Sequence, residues 1–152
     1  MYITADELIA AFSRHILIQL SNDDNRATEI AIPVIETAIK TACERIDAAL
    51  RSRYQLPLTE TPTVISNHCL FLARYWLYAR RPEKGMPEVV KETYTQAIKE
   101  LEQIAQGRLH LGIVKIGDAV NSESAVKIEN DLFRDSGEYK VKAPTRLNTG
   151  GY

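Results

Sequence analysis

Glycine is nearly missing from the first two thirds of the chain. Gly85 alone precedes Gly107, and residues 108–152 hold the other five of seven glycines. Cysteine is almost as scarce: Cys43 and Cys69 are too few for a disulfide framework and read as buried small hydrophobes kept in reducing conditions. Neither sign of charge dominates, since 19 basic and 20 acidic residues leave a net charge of −1. That balance removes any bulk electrostatic case for nucleic-acid or membrane-surface binding. Long apolar runs are missing too. The longest uncharged stretch in the apolar middle, Thr61 to Ala73, has 13 residues and includes Ser66, Asn67 and His68, whereas a membrane span needs about 18–20 mostly apolar residues. Residues 1–10 carry Asp6 and Glu7 and lack the basic start and apolar run of an export signal.

What is present is an ordinary globular composition, 45% hydrophobic and 26% charged over 152 residues, the size of one domain with an appendage. Thr4-Ala5-Asp6-Glu7 spells a capping box ahead of an apolar face of Leu8, Ala11 and Phe12. A short helical turn around Ile16–Leu20 stops at the polar run Ser21–Asn25. Pro33 suits the first turn of a helix running to about Arg53, with Ile35, Ile39, Ala42, Ile46, Ala49 and Leu50 on one face. Two prolines, Pro57 and Pro62, mark a connector. A third helix follows from Pro62 to Arg81, apolar nearly all round, and belongs at the centre of a bundle or under a partner subunit. Pro87 restarts a fourth, whose seam is Val90, Tyr94, Ala97, Leu101 and Ile104 and whose end is the left-handed cap Gly107.

After Gly107 the period changes. Leu109, Leu111 and Ile113 alternate with His110 and Gly112, and Tyr139, Val141 and Ala143 alternate with Lys140 and Lys142, a spacing of extended segments. They are too short to build a core of their own, so such an arm either stays disordered or orders against other chains. The expected fold is all-α: a small bundle of four main helices plus a short N-terminal helical turn over residues 1–107. Residues 108–152 form an extended C-terminal arm containing short β segments.

Candidate chemistry is sparse. His15, His68 and His110 lack paired metal-site spacing, and there is no Cys-x-x-Cys. Adjacent on a helix, His68 and Cys69 point about 100° apart, which argues against a metal or Cys–His site. The acidic turn departs from a calcium loop: from Ser21, Arg26 stands where glycine belongs and Ile32 where the closing glutamate belongs. It reads instead as a polar turn capping the next helix. Glu44 and Asp47 read as part of a solvated mixed-charge face, and Arg80, Arg81 and Lys84 as helix-end charge. Phe71, Tyr75, Trp76 and Tyr78, at helical spacing in the most apolar helix, read as core or subunit packing rather than a base-stacking platform. No enzymatic activity, metal or cofactor is expected.

The order of segments carries a resemblance. Tyr2-Ile3-Thr4-Ala5-Asp6-Glu7-Leu8-Ile9 is followed by a polar turn, then by Ala42 to Leu50 running into Arg53-Tyr54-Gln55-Leu56-Pro57-Leu58, then by Leu72 to Tyr78 and Tyr94 to Gly107. Over about residues 1–111 this resembles a Mu-like phage and prophage family whose members look like head–tail connector, or neck adaptor, proteins. The run Ile-Asp-x-x-Leu-x-x-Arg-Tyr-x-Leu-Pro-Leu is its most specific part. The resemblance implies a structural virion protein of the neck, assembled in the bacterial host cytoplasm. It would form a ring, a 12-mer in related connectors, beneath the portal and extend the channel through which genomic DNA passes without sequence-specific binding. The partners implied are the portal, neighbouring copies and a tail-side neck or tail-terminator protein, with no membrane.

The resemblance, together with the arm's composition, makes the arm the expected portal- and neighbour-binding element. Tyr139–Tyr152 holds Lys140, Lys142 and Arg146 and no acidic side chain, a side-chain charge of +3. Tyr139 and Val141 share one face of an added strand, and Tyr152 closes the segment. The competing reading is a small α-helical prophage regulatory module that binds nucleic acid or a partner helix through Arg51, Arg53, Arg80 and Arg81.

Overall fold

The computed structural model describes residues 1–113 and 115. It contains α1 (Ala5–Ala11), α2 (Arg14–Ser21), α3 (Ile32–Leu50), α4 (Thr63–Arg80), a 3-10 turn (Pro82–Lys84) and α5 (Glu88–Ala105). Among the described residues there is no strand. The three long helices run up, down and up. Cys43 of α3 meets Cys69 of α4, and the start of α3 meets the end of α4 through Ser21. His68 and Tyr75 of α4 face Glu100 and Tyr94 of α5 in reverse order.

Four main helices and one short turn were expected, and the structure instead has three long helices and two short ones. The segment around Ile16–Leu20 is as much a helix as the capped one before it, with 8 residues against 7. The capping box is present as the sequence spells it: Glu7 N–H donates to Thr4 Oγ1 at 3.2 Å and Thr4 N–H to the Glu7 carboxylate at 2.7 Å. The helix is short because Phe12 leaves it in an extended conformation, φ −127° and ψ 160°. Its ring then lies under the Arg74 guanidinium, 4.7 Å away, and Arg74, the one charge inside α4, gains a cation–π partner.

Helix α3 stops at Leu50, three residues short of the expected Arg53. There the ladder tightens: the Arg53 N–H bonds the Leu50 carbonyl, three residues back, at 2.9 Å, and the Tyr54 N–H shares the same carbonyl at 3.0 Å. The Tyr54 ring turns inward and is 1% exposed. The expected apolar face of α3 is buried, apart from half-buried Ala49, and adds Ala38 and Cys43. Helix α4 is the central element and packs on α2, α3 and α5. It buries Ile65, His68, Cys69, Leu72, Ala73, Leu77 and Tyr78, so most of its apolar surface is covered within the chain. Each fully buried Leu or Ile stabilises such a bundle by roughly 1.5–3 kcal/mol relative to exposure.

The end of α5 follows the expected pattern. Gly107 has φ +77°, its N–H bonds the Ile104 carbonyl at 3.0 Å, and the Arg108 N–H reaches back to Gln103 at 2.8 Å. This is the paired bonding of a Schellman cap. The chain then folds back onto the bundle. Leu109, Leu111 and Ile113 are half-buried against the core while His110 and Gly112 are exposed, and the Leu111 N–H donates to the Tyr54 hydroxyl at 3.2 Å. The period-two pattern at 109–113 therefore reflects alternate burial on helices, not strand pairing. The β segment expected at Tyr139–Ala143, and the arm after Lys115 as a whole, lie outside the described residues.

Candidate interaction surfaces

The run Ile46-Asp47 to Leu56-Pro57-Leu58 does more than end a helix. With Met1 and Tyr2 it lines a cleft of about 590 Å³, whose walls include Asp47, Arg51, Tyr54, Leu56 and Leu58. Tyr2 holds the amino-terminal segment in place from both ends. Its hydroxyl donates to Asp47 Oδ1, and its carbonyl accepts from Ser66 Oγ at 3.2 Å. Burial, and then the Asp47 carboxylate, push the phenol well above its ordinary range. Asp47 is therefore half-buried and engaged, while Glu44 is exposed; the two are not equivalent members of one solvated face.

A second surface lies along α3. One hollow of about 190 Å³ is walled by Ala42, Arg45, Tyr75, Trp76 and Tyr94. A neighbour of about 260 Å³ is walled by Arg45, Ala48, Ala49, Ile98 and Leu101. Tyr75 and Tyr94 stack with centroids 3.8 Å apart and planes 18° off parallel. The four aromatics singled out on α4 thus have different surroundings. Tyr78 is buried, Tyr75 is stacked on α5, Trp76 is half-buried at the edge of a hollow, and Phe71 is half-buried outside the main core cluster. Tyr139, Lys140, Val141, Lys142, Arg146 and Tyr152 fall outside the described residues.

The acidic turn and the basic cluster, read separately in the sequence, meet. Arg80 donates to the Leu20 carbonyl at 3.1 Å and to Asp23 Oδ1 at 2.6 Å. Arg81, 8% exposed, donates to the Asn22 carbonyl and to Glu83. Lys84 reaches Asn25 Oδ1 at 3.0 Å. The Arg81 guanidinium holds the Glu83 carboxyl below its usual range. These cations sit on the carbonyl end of α2, where positive charge is stabilising, so they bind an internal turn rather than merely decorate the end of α4. The turn was expected to cap α3; instead the α3 N-cap is Ala31 with no side-chain cap, and its N–H donates to Ser21 Oγ at 3.1 Å.

This placement also divides the basic face of the regulatory reading. Arg51 and Arg53 lie beyond the end of α3, beside the start of α4, while Arg80 and Arg81 close its far end. An 18-residue helix, roughly 27 Å long, separates them. Arg53 packs across the α5 cap, where a Cβ on Gly107 would stand 2.7 Å from its Nη2 and closer still to Nη1.

His68 and Cys69 diverge as their adjacency requires. His68 Nδ1 bonds the Val64 carbonyl, and its Nε2 stands 3.0 Å from Glu100 Oε2 without hydrogen-bond alignment. Both ring nitrogens thus face oxygens. Glu100, expected on the wet face of α5, turns inward for this contact. Cys69 points the other way, toward Cys43. Among the described residues no group of three or more His, Cys, Asp or Glu side chains is placed to hold a metal ion, and no helix is long and apolar enough to cross a membrane.

Comparison with known proteins places this bundle. The family described as Bacteriophage Mu, Gp36 matches residues 2–130. The chain belongs to the bacteriophage Mu Gp36 family. It is similar to the Mu-like prophage FluMu protein gp36 of Haemophilus influenzae, 28% identical over 130 residues that cover 86% of this chain and 89% of that protein. It is likewise similar to gene product J of Escherichia phage Mu, 27% identical over 131 residues covering 86% and 90%. The Gp36 match continues to residue 130, past residue 111 where the sequence resemblance was drawn, and so takes in the first part of the segment beyond the bundle.

Proposed function

We propose that this Mu-like phage protein is a head–tail connector: a structural component of the virion neck that assembles as a ring beneath the portal, extends the DNA channel and offers a lower face to the tail. The observation that carries the reading is membership of the Gp36 family over residues 2–130. Its physical support is a helical bundle with internal polar ties such as Arg80–Asp23 and Tyr2–Asp47. The segment after the bundle supplies the joint. Tyr139, Val141 and Tyr152 offer apolar contact, while Lys140, Lys142 and Arg146 give the +3 charge that meets an acidic partner surface and speeds docking. Ordering that segment costs on the order of 1 kcal/mol per residue, so burial against the portal or a neighbouring copy must offset it.

The test is mass photometry of the full chain mixed with its portal. A complex carrying many copies supports the connector, and a single bound copy or none overturns it. Deleting residues 139–152 is expected to leave bundle stability unchanged and abolish that complex. Retention on DNA that falls steeply with salt would instead favour the regulatory module.

A further inference from the structure

Cys43 of α3 and Cys69 of α4 face one another in the core with their sulfurs 3.6 Å apart, and both are free thiols. That separation is van der Waals contact. A disulfide needs about 2.05 Å, which rotation of two side chains on neighbouring helices must supply. Access is unequal: Cys69 is fully buried, whereas Cys43 is 8% exposed. Their chemistry is unequal as well. The contact with Cys69, in which either sulfur can donate, pulls the Cys43 thiol down to about 6 against the opposing effect of burial, with help from the Tyr2 backbone. The same contact, with burial, pushes Cys69 up. The pair thus shares one more readily lost proton, and the sulfur that a small oxidant meets first is the more exposed Cys43.

We propose that Cys43 and Cys69 form an oxidisable dithiol, in which Cys43 attacks a peroxide-class oxidant and Cys69 resolves the product to an intramolecular disulfide tying α3 to α4. In the first step the Cys43 thiolate attacks one peroxide oxygen and the O–O bond breaks. This leaves Cys43 as a sulfenic acid and releases hydroxide from hydrogen peroxide. In the second step Cys69 gives its proton to hydroxide and attacks the Cys43 sulfur. The S–S bond forms as the S–O bond breaks, and the departing hydroxide leaves as water once protonated. Two thiols and one hydrogen peroxide thus become one disulfide and two waters.

The bond links residues 26 positions apart, enclosing the end of α3, Tyr54 and the Leu56–Leu58 wall of the large cleft. It would restrict the unfolded chain and fix the spacing of the two helices that frame that wall.

The experiment uses the purified full chain, reduced and then exposed to hydrogen peroxide, with no portal or particle present, so its outcome is separate from that of the connector test. Three results are expected together: both thiols become unreactive to a thiol reagent in denaturant, the monomer loses about 2 Da, and the melting temperature rises by about 5 °C or more. Dithiothreitol reverses all three. In Cys69→Ala, peroxide is expected to leave Cys43 as a sulfenic acid that dimedone captures, with no rise in melting temperature. The proposal is overturned if the native chain keeps both thiols under conditions that oxidise a cysteine peptide. It is equally overturned if Cys43 proceeds to a sulfinic acid while Cys69 stays free, or if only intermolecular dimers form.

Discussion

Replacing Gly107 by alanine probes two physical effects at one atom. The first is conformational. At φ +77° an L side chain crowds its own backbone, which costs roughly 1–2 kcal/mol. The second is steric: the new methyl would overlap the Arg53 guanidinium and stand 2.7 Å from Nη2, the farthest of its three close neighbours. The atoms it meets are the far end of a flexible side chain that can swing aside, so displacing them costs about 1 kcal/mol, the low end of overpacking. The expected total is about 2–3 kcal/mol, which with a urea slope of about 1–3 kcal/mol/M lowers the unfolding midpoint by roughly 1–3 M. Adding Arg53→Ala completes a cycle in which the steric part of the Gly107→Ala cost disappears. If removing Arg53 leaves the whole cost of Gly107→Ala intact, the packing of Arg53 over the α5 cap is refuted.

Three further outcomes are expected. The phenol of Tyr2 is raised in the folded chain by burial and by Asp47, so the fold binds its proton more tightly than the unfolded chain does. That stabilisation is full below about pH 10 and is lost as pH rises above it. Tyr2→Phe should therefore lose less stability between pH 9 and 11 than the parent, by denaturation at each pH, and equal losses would reject the Tyr2–Asp47 bond. Ile46 is fully buried in α3, and Ile46→Ala should cost about 2–5 kcal/mol by the cavity it leaves, measured by the same urea titration; a cost under 1 kcal/mol would contradict its place in the core. The turn at Ser21–Asn25 is already held by Arg80, Arg81 and Lys84, so neither EDTA nor millimolar calcium should move the melting temperature. Arg81→Ala should lower it, since the Asn22 carbonyl loses a charged donor. A large calcium-dependent shift in the parent would mean that the arginines do not do a cation's work there.

The helices were legible because their signals are local. A threonine three residues before a glutamate, prolines in first turns and glycine at a left-handed cap each bias the backbone within one turn. The apolar spacing of α3 and α5 follows from 3.6 residues per turn. What misled the count was length. Residues 14–21 form a full helix with no strong cap of their own, since Ser13 makes no side-chain bond. They are held by packing Leu17 and Leu20 into the core, a tertiary effect that no window of eight residues reveals. The alternation at Leu109–Ile113 was visible and correctly periodic. Its partner was not visible, because a half-buried segment alternates in the same way whether it lies on a strand or on a pair of helices.

The polar ties were less legible because they join residues far apart in sequence. Arg80 to Asp23 spans 57 positions and Tyr2 to Asp47 spans 45, and nothing in either neighbourhood names the other. The two readings that kept such groups apart, helix-end charge and solvated carboxylate, were the cheapest explanations for each alone. Together they leave an arithmetic clue: a basic cluster at the end of one helix and an acidic turn at the end of another neutralise each other if the bundle brings those ends together. The up-down-up order does so, placing the carbonyl end of α2 beside the carbonyl end of α4. Two negative helix ends side by side repel unless cations stand between them. Arg80, Arg81 and Lys84 are therefore what allows the α2–α3 turn to close over α4, and Asp23 of that turn meets Arg80 directly.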